Sequence, residues 1–341
     1  MFVQEHIPLS GYTTLKVGGP AEYFTEVHGV QELREAAAWA RKRSLATHVL
    51  GGGSNVLVPD AGVRGLVIRN LITGIEVRTE DDVVYLRAGA GEIFDAVVAR
   101  ACDAGWWGLE NLSCIPGSVG ATPIQNVGAY GVETAELVHT IDVYDMETDS
   151  ESTLTPAMCA FGYRDSLFKR KDGKRYVVTH VTYALSTHPS PRLHYRDLAE
   201  WQRERGTDVE PTLVEIRTAV CAIRSRKFPD WHVVGTAGSF FKNPFVTASE
   251  YAHLSTQYPG LPGHEDGAGM VKISLGWVLD HVLGVRGARE GAVGTYEAQA
   301  LVLVQHGGAS AAEVDAFADG IARRVEDALG ISIEREVSLF G

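Results

Sequence analysis

The sequence predicts an α+β protein, on three observations. Strand-like alternation and helical periodicity both recur along the chain, but without the regular βαβ rhythm of a doubly wound sheet. The glycine-rich stretches miss the G-x-G-x-x-G spacing of a dinucleotide-binding sheet. A chain of 341 residues is also long for a single core, so about two or three domains are expected.

The elements follow in order. Residues 30–43 read as a helix with Leu33, Ala37 and Ala40 on one side. Residues 48–50 form a short strand that runs into Gly51-Gly-Gly-Ser-Asn55, and 56–58 and 66–68 read as the next strands. Residues 74–79 and 83–88 form a hairpin ending at Gly89-Ala-Gly91, where Phe94 stands in place of a third dinucleotide-binding glycine. Residues 92–104 are a helix closed by Gly105. Residues 138–147 and 176–185 alternate and are rich in β-branched or aromatic side chains, so they read as strands. Segment 161–168 lies between those strands, and 188–191 is a surface connection.

Residues 211–226 are expected to be a helix with Val214, Ala219, Val220 and Ile223 inward. Thr247-x-x-Glu250 is a capping box that opens a helix toward Tyr258. Residues 260–269, rich in glycine and acid, read as a mobile loop, 274–283 as a helix and 301–305 as a buried strand. Ser310-x-x-Glu313 opens the last long helix, closed by Gly330, and 331–337 alternate as a final strand. No internal repeat or low-complexity segment interrupts this order.

Composition is that of an ordinary globular chain, 45% hydrophobic and 22% charged. A net charge of −12 argues against non-specific binding to nucleic acid or an anionic membrane. Basic residues nonetheless cluster at 164–175 and 224–227, enough for a local pocket for an anionic small molecule. None of Cys102, Cys114, Cys159 and Cys221 forms a C-x-x-C pair, so neither a zinc site nor a redox dithiol is expected. Cys102 and Cys221 lie on apolar helical patterns and read as buried thiols. H-E-x-x-H and EF-hand patterns are absent, so no metal is expected. The start lacks a signal pattern and no apolar run is long enough to span a bilayer, so a soluble, reducing, cytoplasmic setting is expected.

The most informative stretch is Pro116-Gly-Ser-Val-Gly-Ala-Thr-Pro-Ile-Gln-Asn-Val-Gly-Ala-Tyr-Gly131. It shows neither helical nor strand periodicity, and it is small and uncharged where a surface linker would be polar. Small residues let backbone approach a partner closely, and successive N–H groups in glycine-rich turns form anion-binding concavities. It reads as a loop moulded on a bound phosphate or ring system, the alternative being a tightly packed turn. Gly51–Gly53 with Ser54 and Asn55 fits a pyrophosphate wrap and a flexible turn equally well, and two such loops in one chain favour a dinucleotide. In Phe161-Gly-Tyr-Arg-Asp-Ser166, Arg164 is either a bidentate carboxylate grip or a surface ion pair. In Ala237-Gly-Ser-Phe-Phe-Lys-Asn-Pro244, Gly238 allows a turn that presents Ser239, although the spacing is not that of a nucleophile elbow. Phe240 and Phe241 read as core, and Lys242 and Asn243 as solvated. In Glu334-Arg-Glu336 the two carboxylates share a face, which by itself reads as a solvated edge strand.

Taken together and in this order, 51–57, 116–131, 162–166, 238–244 and the terminal glutamate resemble the UDP-N-acetylenolpyruvoylglucosamine reductase (UDP-N-acetylmuramate dehydrogenase) family, from about Leu15 to Gly341. Tyr195, within Leu193-His-Tyr-Arg-Asp-Leu198, is similar to the extra tyrosine-bearing loop of one form of that family. The resemblance implies a two-part FAD-binding domain of the vanillyl-alcohol-oxidase (PCMH) type plus a C-terminal α/β substrate-binding domain. The implied boundaries are 1–69, with 331–341 returning to it, then 70–210, then 211–330. It implies non-covalent FAD held by Gly51, Gly52, Gly53, Ser54, Asn55, Pro116, Gly117, Ser118, Gly120, Ile124, Asn126 and Gly128.

The implied reaction is NADPH-dependent reduction of the enolpyruvyl ether of UDP-N-acetylglucosamine-enolpyruvate to UDP-N-acetylmuramate, the two substrates using one pocket in turn. Hydride from flavin N5 to the vinyl CH₂ carbon leaves carbanion character beside the carboxylate, basic enough to be protonated by a serine hydroxyl. Ser239 matches the proton donor, Arg164 the carboxylate grip, and Glu336 a carboxyl that helps only as a hydrogen-bond donor, hence with a raised pKa or a shared proton. Tyr195, Lys227, Asn243 and Gln299 match positions that contact the uridine diphosphate and sugar, and Tyr163 is expected to line the substrate pocket. Where the family usually has proline before the terminal glutamate and arginine two residues after it, this chain has Arg335 and Ser338. A monomer is expected. The competing expectations are a flavin oxidase of the same fold acting on an alcohol or sugar, and a nucleotide-sugar binding protein with a vestigial site.

Overall fold

The computed structural model describes residues 1–206, 208–267 and 269–341. The chain forms two compact units. The first holds Met1–Ile7, Ala21–Gly52 and Arg64–Arg224, and the second holds Pro8–Pro20, Gly53–Val63 and Ser225–Gly341.

Two sheets organise the first unit. One has four strands in the order Gln4–Pro8, Pro20–Val27, Val63–Asn70 and Thr47–Leu50, the last two parallel. The helix Val30–Lys42 covers it, burying Leu33, Ala36, Ala37 and Ala40 against Val27, Leu66 and Ile68. Glu32 in its first turn and Arg41 and Lys42 in its last oppose the helix dipole favourably. The other sheet is antiparallel, in the order Ser150–Leu154, Val138–Asp145, Tyr176–Ser186, Val83–Gly89 and Ile75–Glu80. The helices Phe94–Asp103 and Leu213–Lys227 bury their apolar stripes in the core beneath it.

The second unit is built on Gly235–Ser239, Gln299–Gln305, Val293–Tyr296 and Arg289–Glu290, all antiparallel neighbours in that order. Beside this sheet stands a second one, Phe245–Thr247, Met270–Ile273 and Gly263–Glu265. The helix Ala311–Leu329 packs Val314, Ala318, Ile321 and Val325 into a core shared with Phe240, Phe241 and Leu303. Both expected capping boxes form. Thr247 and Ser310 each accept the N–H three residues on, at 3.2 and 3.1 Å, while Glu250 and Glu313 reach back to the cap N–H groups. Gly330 closes the long helix at φ 68°, a left-handed value that glycine adopts without strain.

Several expectations are corrected. Val214 is 54% exposed, because the buried row of its helix runs Leu213, Ile216, Ala219, Val220, Ile223 and so turns 214 outward. That same row lies in the first unit's core, and this unit includes residues up to Arg224. Residues 331–337 form no strand: Arg335 alone bridges, to Phe241, and pairing begins only at Ser338–Leu339, parallel to Val56–Leu57. Within 260–269, expected to be a loop, Gly263–Glu265 is a strand; Ala268 lies outside the described residues. The helix expected at 274–283 begins with Leu275–Trp277 and widens to a π-turn over Val278–Val282. Cys221 is no free thiol but is joined to Cys114, with Cα atoms 5.5 Å apart. Spacing alone concealed that pair, since the partners lie 107 residues apart. Cys102 is a free, buried thiol, and burial pushes it up to about 12.

Candidate active site

The residues singled out from the sequence fall into two groups, one in each unit. In the first unit, the segment 116–131 is folded tightly on its neighbours. Gly117 (φ 117°) accepts the N–H of Phe94 at 3.0 Å, at the start of a helix. The N–H groups of Val119 and Gly120 go to the carbonyls of Glu92 and Ala90, both at 2.9 Å. A Cβ on Gly120 would meet that of Ala90 at 2.6 Å. The other glycine loop lies directly against this segment. A Cβ on Gly51 would come within 2.5 Å of the Ser118 hydroxyl, and one on Gly52 within 2.7 Å of the Gly117 Cα. The Gly52 N–H donates to Ser118 Oγ at 3.2 Å. Gly51 and Gly52 are therefore a packed bed and not a flexible turn.

Asn126 sits at φ 46°, buried, with its amide fully engaged. Its Nδ2 donates to Glu133 at 2.7 Å and to the Gly162 carbonyl at 3.0 Å, and its Oδ1 accepts the Ala135 N–H at 2.9 Å. It shapes the loop through its own backbone and through these bonds. The loop ends in a hairpin, Gly128–Ala129 against Val132–Glu133, turned by Tyr130 (φ 49°) and Gly131 (φ 82°). Two successive positive φ values are what a two-residue hairpin turn requires. Ile124 packs on the core, and its carbonyl accepts the Ser166 hydroxyl at 2.5 Å.

Arg164 reaches this loop from a tight turn in which Gly162 and Asp165 exchange backbone hydrogen bonds at 3.0 and 3.2 Å. Its φ of 53° is a conformation that a long side chain adopts only when its surroundings demand it. Its Nη2 donates to the Gly128 carbonyl at 2.6 Å, and its guanidinium lies 5.2 Å from the Tyr163 ring centroid. Beside it, Asp165 pairs with Arg170 at 3.3 Å. Tyr195 caps the start of the helix Arg196–Arg205 and meets the Tyr130 ring edge-on at 5.3 Å.

Tyr130 and Arg224 were not picked out from the sequence. Burial pushes the Tyr130 phenol up to about 12, and the same effect lowers the Arg224 guanidinium, which hydrogen-bonds Tyr130 and donates to the Cys114 carbonyl at 3.0 Å. Membership of the loop and of the 224–227 basic cluster is the signal that would have found them.

In the second unit, Gly53 (φ 63°) presses against Tyr12, where a Cβ would fall on the backbone carbonyl. Ser54 and Asn55 follow, and Asn55 Nδ2 donates to the Glu336 carbonyl at 3.1 Å. Ser239 is the last residue of the strand Gly235–Ser239, beside Gly238 at φ 75°. The Glu336 N–H donates to the carbonyl of Phe240, the residue after Ser239, at 2.8 Å. Chemically distinct residues far apart in sequence are thus held by backbone at a fixed spacing. Asn243, expected to be solvated, accepts the Leu275 N–H at 3.0 Å, and Lys242 pairs with Glu334 at 2.8 Å. Gln299 opens a strand and approaches Gly276 closely, its Oε1 3.2 Å from where a Cβ would stand. Lys227 ends the helix Leu213–Lys227. A cleft of about 410 Å³ lined by Asp319, Arg323, Glu326 and Ile333 holds none of these residues. Among the described residues no cluster of His, Cys, Asp and Glu suits a metal, and no helix is long and apolar enough to cross a membrane.

The two glycine segments of the first unit, with side-chain-free backbone and a serine hydroxyl, suit the close approach of an anionic group such as a pyrophosphate. Comparisons with known proteins agree. Residues 21–149 match the model of an FAD binding domain, and 230–340 match that of the UDP-N-acetylenolpyruvoylglucosamine reductase C-terminal domain. The chain is 43% identical to the UDP-N-acetylenolpyruvoylglucosamine reductase of Ralstonia nicotianae, over 97% of each chain. It is 40% identical to that of Pseudomonas putida, over 99% of this chain and 98% of the relative. Among solved structures it superposes on the crystal structure of a UDP-N-acetylenolpyruvylglucosamine reductase from Thermus caldophilus with a TM-score of 0.71 at 26% identity, covering all of both chains.

Proposed function

The chain belongs to the UDP-N-acetylenolpyruvoylglucosamine reductase family, and from that premise we propose how its own residues divide the work. It is an FAD-dependent oxidoreductase that reduces the enolpyruvyl ether of UDP-N-acetylglucosamine-enolpyruvate to UDP-N-acetylmuramate with NADPH. A flavin oxidase acting on an alcohol or sugar is not favoured, because the resemblance to the reductases spans the full length of the chain. FAD, when bound, would supply the hydride-transfer chemistry between NADPH and the vinyl carbon of the ether.

In this proposal Gly51, Gly52, Gly53, Ser54, Asn55, Pro116, Gly117, Ser118, Gly120, Ile124, Asn126 and Gly128 hold the cofactor without a covalent bond. Ser239 Oγ gives its proton to the carbon beside the substrate carboxylate. Arg164 grips that carboxylate and the charge developing on it, where a guanidinium fork is worth more than a point charge. Glu336 assists as a protonated carboxyl, since a carboxylate would repel the charge that forms. Tyr163, Tyr195, Lys227, Asn243 and Gln299 contact the uridine diphosphate and sugar, and NADPH takes the same pocket in turn. The protein acts as a cytoplasmic monomer, and its product feeds peptidoglycan precursors, hence cell-wall biogenesis, shape and division.

The observation that supports this reading best is the Glu336 N–H bonded to the Phe240 carbonyl at 2.8 Å, which ties the carboxyl-bearing residue to the Ser239 turn. The test is Ser239→Ala. NADPH is expected to reduce the flavin at the parental rate while product formation falls by about 10²–10⁴-fold, the usual worth of a positioned acid. Normal turnover would remove Ser239 from its role.

A further inference from the structure

We propose that Arg335 is the positioning residue for Glu336, fixing the peptide that carries this carboxyl against the residue after Ser239. The inference rests on the role given above to Glu336.

Residues 334–337 lack the ladder of a strand, because only Arg335 bridges, to Phe241. Lys242 N–H donates to the Glu334 carbonyl at 2.9 Å, the Glu336 and Val337 N–H groups donate to the Phe240 carbonyl at 2.8 and 3.5 Å, and Asn55 Nδ2 donates to the Glu336 carbonyl at 3.1 Å. Without a full ladder, fixing the register takes a side-chain pin as well.

Arg335 supplies that pin. Its Nη1 donates to the Asp315 carboxylate, and its Nη2 donates to Asp319 at 2.6 Å and to the Asp315 carbonyl at 3.3 Å. Both aspartates stand on one face of the helix Ala311–Leu329, four residues apart, where without a cation between them they would repel. The guanidinium also lies 6.0 Å from the centroid of the buried Phe240 ring. Phe240 directly follows Ser239, and Glu336 directly follows Arg335. The cation on the residue before Glu336 thus lies beside the residue after Ser239. Neighbouring residues of extended chain point to opposite sides, so anchoring Arg335 on the helix turns its flanking carboxylates away from it. Glu334 shows this, pairing with Lys242 at 2.8 Å.

The experiment separates the two half-reactions by stopped flow in the FAD-loaded enzyme, and measures hydrogen exchange across residues 331–341. Arg335→Ala is expected to slow transfer to the enolpyruvyl substrate about tenfold or more, the range expected when a group is misplaced by an ångström or less. Reduction by NADPH is expected to stay at the parental rate, while amide exchange at 331–341 accelerates. Asp315→Asn/Asp319→Asn reproduces the loss, and Arg335→Lys restores only part of it, because an ammonium lacks the fork. Adding Arg335→Ala to Glu336→Ala, which has no donor left to position, costs nothing further if Arg335 acts through Glu336. Multiplying losses, equal slowing of both half-reactions, or unchanged exchange would overturn the proposal while leaving Glu336 in its role. Parental rates for Glu336→Ala itself, which removes the donor altogether, would instead remove the reading of Glu336, and the proposal with it.

Discussion

At the scale of single residues, the site depends on conformations that side chains ordinarily avoid. Arg164 holds φ 53° and Asn126 φ 46°, each secured by hydrogen bonds around the loop they shape. Gly52 shows the same demand in steric form. It is exposed, yet a Cβ there would lie 2.7 Å from the Gly117 Cα, which is backbone and cannot swing aside. Gly52→Ala is therefore expected to destabilise the chain by about 1–3 kcal/mol, as overpacking does, and to release flavin on gel filtration. A purified variant as yellow as the parent, with the same melting temperature, would contradict it. The glycines were legible in the sequence; the reason for them was not. Taken alone, Gly51–Asn55 reads equally as a flexible turn or a ligand loop, and only the second glycine loop tips it toward a ligand; in the fold Gly51 and Gly52 are compelled by that opposing loop.

At the scale of elements, local signals were read well and long-range partners poorly. Ser310 and Glu313, or Thr247 and Glu250, lie three residues apart, so the capping boxes are properties of short segments. Alternation in 331–337 was equally clear, but a strand exists only if a neighbour pairs with it, and there only Arg335 finds one. The Cys114–Cys221 link is the extreme case. It joins the residue two before Pro116 to the helix Leu213–Lys227, closing a loop of 107 residues. Around it, Asp95 accepts the Cys114 N–H at 2.5 Å and is forked by Arg217 at 2.6 and 2.9 Å. A bond closing a loop of this length typically contributes about 2–4 kcal/mol. Cys114→Ser/Cys221→Ser is expected to lower the urea midpoint of unreduced protein and to unfold like the parent treated with dithiothreitol. Superimposed curves for variant and unreduced parent would show that the link adds nothing.

At the scale of the whole molecule, the buried acids set the limits of pH. Burial raises the Cys102 thiol from 9.0 to about 12 and the Tyr130 phenol from 10.0 to about 12. For each, the neutral form is favoured by folding, so its contribution is complete below the unfolded value and lost as pH rises through the folded one. Melting temperature is therefore expected to fall between pH 9.0 and about 12. Cys102→Ala, which no longer titrates, should flatten that fall, and an unchanged profile would refute the assignment. On the acid side Asp95 has the opposite sign. Burial raises it, but the hydrogen bonds from Arg217 and the Cys114 N–H prevail and lower it. Its contribution is present above the ordinary carboxylate range and lost as pH falls below it.

The sequence by itself determined the class of fold, the helices with their caps, the uncharged glycine loops and the family to which this chain belongs. These are properties of short windows, of composition and of motif order, all of which one dimension preserves. Tertiary structure alone decided that helix 213–227 completes the first core, that Cys114 and Cys221 meet, that Arg164 turns onto the Gly128 carbonyl and that Glu336 is tied to the residue after Ser239. Each of those depends on which distant backbone offers a donor, an acceptor or a surface at the right place. Chain spacing carries no record of that, because it is settled only when the cores close.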